Sequence, residues 1–195
     1  MTSLVLELQQ EAKDPSVRVD NLLRKAVVVA TTLGIDDFRV WAEKELQGYA
    51  GDTTTPGYRQ VTGLVRAFHP SRGWIPVVLP DKNLQKRLES RAAGEPIGEL
   101  EDLYHDPHRG DMLFLGPGPD AEQLTLEDLM ELVPYSWVLR IFGDTREYQP
   151  GTIPTLLIGR PAIKGILDAV RNEVLRWSLA LESQGIPGGD RDTRR

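Results

Sequence analysis

Between Pro161 and Glu182 seven apolar residues, Ile163, Ile166, Leu167, Val170, Val174, Trp177 and Leu181, recur at i, i+3, i+4, i+7, i+11, i+14 and i+18. At about 100° per residue they fall on a stripe about 100° wide. Pro161 suits a first helical turn, and Gly185 followed by Pro187 ends the run. The spacing therefore predicts a helix over 161–182 whose stripe is a core face. Leu175 and Leu179, one turn apart, fall on the opposite side. One apolar face packs within the chain; the second calls for a partner.

The rest of the 195 residues must supply what that helix packs on. A chain of this length buries a sizeable core in one generous domain. Lys and Arg number 23 against 29 Asp and Glu, a net charge of −6, so nucleic acid is a poor partner: neutralising phosphates takes clustered cations. The basic cluster Arg191, Arg194 and Arg195 sits in a polar tail over 187–195, where disorder is expected. With no cysteine, disulfides, thiolate metal sites and cysteine nucleophiles are excluded. The first 13 residues place Glu7 and Glu11 among their apolar residues and lack a basic leader, so they do not read as a signal peptide. No stretch approaches the roughly 20 apolar residues of a membrane helix. The expectation is a cytoplasmic protein that does not meet a membrane.

Helices are expected from Thr2 or Ser3 to Lys13, from Val17 to Leu33 with Gly34 as C-cap, and from Asp36 or Asp37 as N-cap to Gly48. Val27, Val28 and Val29 leave a strand as the alternative for the second. After a loop over 51–57 the period changes from 3.6 to 2. Val61 to Phe68, the turn His69-Pro70-Ser71-Arg72-Gly73 and Trp74 to Leu79 read as a β-hairpin, with Pro76 confining its second strand to an edge or a bulge. A helix over Asn83–Ala92, a short acidic helix over Ile97–Leu103, a strand over Met112–Leu115, a helix over Ala121–Leu132 and strands over Tyr135–Phe142 and Ile153–Ile158 complete the order. The whole is α+β: a helical block over 1–50, a mixed region over 57–160 with a mostly antiparallel sheet, and the long helix, in a single domain over 1–186.

Several pieces of the chain resemble the AbiTii-like domain of bacterial abortive-infection and phage-defence proteins. They are Leu6-Glu7-Leu8-Gln9 with Asp14-Pro15, Leu22-Leu23-Arg24-Lys25-Ala26, Trp41-Ala42 with Glu45-Leu46 and Gly48-Tyr49, then Tyr58-Arg59-Gln60-Val61 with Gly63. Gly73-Trp74-Ile75-Pro76-Val77 and Ile166-Leu167-Asp168-Ala169-Val170-Arg171 through Trp177 to Leu181-Glu182 follow, so the likeness spans Leu4 to Ile186. The resemblance implies a role in phage resistance and carries no catalytic signature. It also implies either a stand-alone protein or the N-terminal part of a longer one.

The densest polar stretch is Tyr104 to Asp111. His105 and His108 with Asp111 have the donor types for a divalent metal, which would activate water for hydrolysis, with His69 as the other imidazole. The competing reading is a surface turn whose aspartates bond their own backbone. Gly116-Pro117-Gly118-Pro119 is not a phosphate loop, because its prolines lack N–H groups. Arg160 and Lys164 flank a helix start and are candidates for holding an anion such as a nucleotide phosphate. Glu99, Glu101 and Asp102 read as a solvated acidic face; Trp41, Trp137 and Trp177 read as core; Trp74 is a candidate for an exposed binding role. With no cofactor called for, three functions follow. The first is a non-catalytic interaction module, joining a homo-oligomer or a partner defence protein through Leu175 and Leu179. The second is a metal-dependent hydrolase or nuclease at His105, His108 and Asp111. The third is an anion sensor at Arg160 and Lys164.

Overall fold

A computed structural model describes residues 4–49, 55–69, 73–76, 82–108, 110, 112–115 and 155–185. The chain divides into two compact units, one of Met1–Tyr49, Glu95–Asp106 and Ile163–Arg195, the other of Ala50–Gly94 and Pro107–Ala162.

The first unit is helical. It contains α1 (Leu4–Lys13), α2 (Val19–Leu33), α3 (Asp36–Gln47), α5 (Ile97–His105) and most of the long α6 (Arg160–Ser183). Six of the seven stripe residues of α6 are buried, Trp177 being half-buried, and Ser178 joins them. The valines of α2 do not make a strand. Val19, Leu22, Leu23, Ala26, Val29 and Ala30 form one buried face, and Val28 looks outward. Gly34 closes α2 at φ 71°, a left-handed conformation open to glycine at no steric cost; it lets the Ile35 N–H reach the Ala30 carbonyl at 2.9 Å.

Two buried or half-buried polar groups tie these helices together. The Arg171 guanidinium donates to the carbonyls of Glu11 (3.2 Å) and Asp14 (2.9 Å) and to that of Val17, gathering the turn that follows α1. Gln9 donates from Nε2 to the Ser178 carbonyl at 3.2 Å and to the Glu182 carboxylate at 2.9 Å. Gln9 precedes Glu11 and Asp14, whereas its partners Ser178 and Glu182 follow Arg171 on α6, so α1 and α6 run antiparallel.

The N-terminus of α2 is capped from another helix. Arg18 occupies the cap position and offers no acceptor. Glu101 of α5, 3% exposed, accepts from the Val19 N–H at 2.9 and 3.1 Å and from the Asp20 N–H at 3.4 Å, with Arg18 Nε 3.6 Å away. Glu101 is thus not part of a solvated acidic face; only Glu99 and Asp102 are exposed. The cause is spacing, since Glu101 follows Ile97 by four residues and shares its inward stripe. Glu101→Gln keeps the shape but removes the charge facing the helix N-terminus. It is expected to lower stability by about 1–2 kcal/mol, read from the urea midpoint. Partial burial raises the pKa of Asp20 beside this cap, but hydrogen bonds from Arg18 and Arg24 more than offset it and the net shift is downward. That contribution is complete above the ordinary Asp value of about 3.9 and is lost as pH falls through the lower folded value. Acid unfolding of Asp20→Asn should therefore show a shallower pH dependence below about pH 4 than the parent chain.

Among its described residues the second unit holds two antiparallel sheets. β1 (Gln60–Thr62) pairs β4 (Ser90–Ala92), with Val61 opposite Arg91. A four-stranded sheet has the order β3-β2-β6-β5, from β2 (Leu64–His69), β3 (Gly73–Pro76), β5 (Met112–Leu115) and β6 (Thr155–Gly159). β2 and β3 form the expected hairpin, with His69 opposite Gly73 and Arg66 opposite Pro76. The first strand of that hairpin is not continuous. At Gly63 the chain leaves one sheet for the other, its N–H donating to the Glu89 carbonyl at 2.9 Å.

Two expectations are corrected here. The helix expected over Asn83–Ala92 ends early: α4 spans Lys82–Leu88, and Ser90–Ala92 is the strand β4. Pairing with β1 overrides local propensity, and it is extended by the Ala93 N–H, which donates to the Arg59 carbonyl at 2.8 Å. In α3, neither Asp36 nor Asp37 is the cap; Ile35 holds that position, and both aspartates lie in the first turn, where they favour the positive end of the helix dipole. The helix expected over Ala121–Leu132 and the strand over Tyr135–Phe142 lie outside the described residues.

Candidate interaction surface

α6 buries one side and shows the other. On the outward side Leu179 is 48% exposed, whereas Leu175, one turn earlier, is half-buried. Ser178, which precedes Leu179, takes its place in the core through its backbone bond to Gln9. Leu6, one turn before Gln9 on α1, is 39% exposed. Each of the two helices that Gln9 joins thus carries an exposed leucine, Leu6 on α1 and Leu179 on α6. Elsewhere along α6 lie the ion pairs Lys164–Asp168 and Glu173–Arg176.

Two further buried charges escaped the reading of the sequence. Besides Glu101, Glu45 of α3 is buried and accepts from the Tyr49 hydroxyl at 2.7 Å. In the second unit the buried Arg59 donates to the Ala93 carbonyl at 2.8 Å. Each of the two glutamates sits three or four residues from an apolar stripe member, so periodicity carried the signal. None of these groups lies at an opening to solvent.

The second unit carries its own exposed apolar residues. Strand parity and register put Leu64, Arg66, Trp74 and Pro76 on one face of the four-stranded sheet. Trp74 is 36% exposed, and Arg66 donates to its carbonyl at 3.2 Å.

The residues proposed for chemistry lie as follows. His105 ends α5 and is exposed, its ring meeting Tyr104 edge-on at 5.0 Å between centroids. His108 is exposed in the turn that follows, and Asp111 lies outside the described residues. Among the described residues, no group of three or more His, Asp and Glu side chains is placed to hold a metal ion. Arg160 starts α6 and donates from Nε to the Gly110 carbonyl at 3.0 Å. Lys164 is bound to Asp168, and that carboxylate raises its pKa. Both cations of the expected anion site already hold partners within the protein. No helix among the described residues is long and apolar enough to cross a membrane.

A family model, AbiTii, matches residues 3–193, nearly the whole chain. The chain belongs to the AbiTii family. AbiTii proteins act in abortive infection, so this one is a phage-defence protein, as the residues spread from Leu6 to Glu182 imply. Comparison with curated proteins and with solved structures finds no match. The AbiTii match covers both units, and its two ends fall outside α1 and α6, the helices that carry the exposed leucines.

Proposed function

We propose that this AbiTii protein serves phage defence in the cytoplasm as a non-catalytic module that assembles with a second copy of itself through Leu6, Leu175 and Leu179. The observation that carries the reading is the pair of exposed leucines on α1 and α6, apolar residues that the core of their own unit does not use. A helix face of this kind suits a two-fold contact, because the same patch supplies both sides. Burying such side chains contributes about 25 cal/mol per Å² of apolar surface removed from water. Neither the histidine turn nor Arg160 and Lys164 gains a comparable observation.

The half-burial of Leu175 decides which substitutions test the reading. Glutamate there would disturb packing inside the unit, whereas Leu6 and Leu179 can be charged at little cost to the fold, within about 0.5 kcal/mol for each surface site. The double variant Leu6→Glu with Leu179→Glu should keep the melting temperature of the parent. In cells challenged with phage it should lose protection. Full protection by a stably folded double variant would overturn the proposal.

A further inference from the structure

We draw no further inference here: the strongest candidate, the face of the four-stranded sheet that carries Leu64, Arg66, Trp74 and Pro76, is an exposed apolar surface, and nothing in the structure shows what covers it.

Discussion

Replacing Phe38 by alanine is expected to lower the stability of the helical unit by about 3–5 kcal/mol, the range for deleting a buried aromatic ring. Phe38 is fully buried, and its ring lies near-parallel to two others, Trp177 at 5.0 Å and 13° and Trp41 at 5.9 Å and 15°. The first pair joins α3 to α6 and the second runs along α3. Offset aromatic pairs add about 0.5–1.5 kcal/mol each beyond the area they bury, so the loss should fall in the upper part of that range. Phe38→Leu fills much of the volume without a ring and should cost clearly less. The urea midpoints of the two variants measure this. A loss under about 1 kcal/mol for Phe38→Ala would mean that the three rings do not share a packed core.

Gly63→Ala is expected to be nearly as damaging in the other unit, by a different route. A Cβ on Gly63 would stand 2.1 Å from the Leu157 carbonyl oxygen, 2.9 Å from its carbon and 3.0 Å from Ile158 Cγ2. The obstacle is backbone within β6, held by pairs that include Leu64 with Leu157 and Val65 with Leu156, so it cannot swing aside as a flexible side chain would. Overpacking costs about 1–3 kcal/mol where neighbours relax; with a strand in the way we expect about 3 kcal/mol or more. Amide exchange at Val65 and Leu156 should quicken, since those pairs part first. Unchanged exchange with unchanged stability would show that Gly63 is not the close approach described.

What could be read from the sequence follows from how local its cause is. The α6 stripe, the Gly34 cap and the β2–β3 hairpin each depend on residues within a few positions of one another, and all three form as expected. β4 does not. Ser90–Ala92 becomes a strand because Gln60–Thr62, thirty residues earlier, offers a partner, and no local pattern records that pairing. The same holds for the cap on α2: Glu101 lies more than eighty residues from the N–H groups it accepts. Its place on an apolar stripe was visible, but charge argued for solvent, and only the fold shows which consideration wins.

The candidate surface was legible in the same partial way. Periodicity separates Leu175 and Leu179 from the core stripe, yet it places both on one outward face with equal weight. In the fold they differ, Leu175 being half-buried and Leu179 exposed, and α1, joined to α6 through Gln9, adds the exposed Leu6. A residue on another helix cannot be assigned to a surface before the helices are paired. The reading that Arg160 and Lys164 hold an anion depended on their being unengaged, which sequence does not report; both have partners in the fold.

Solution mass tests the central claim most directly. Light scattering coupled to size exclusion over a hundredfold dilution of the parent chain should show a dimer at the concentrated end, and Leu179→Glu should run as a monomer throughout with its melting temperature kept. A parent chain that stays monomeric at every concentration, or a folded Leu179→Glu variant that keeps the parent's mass, would contradict assembly through this face.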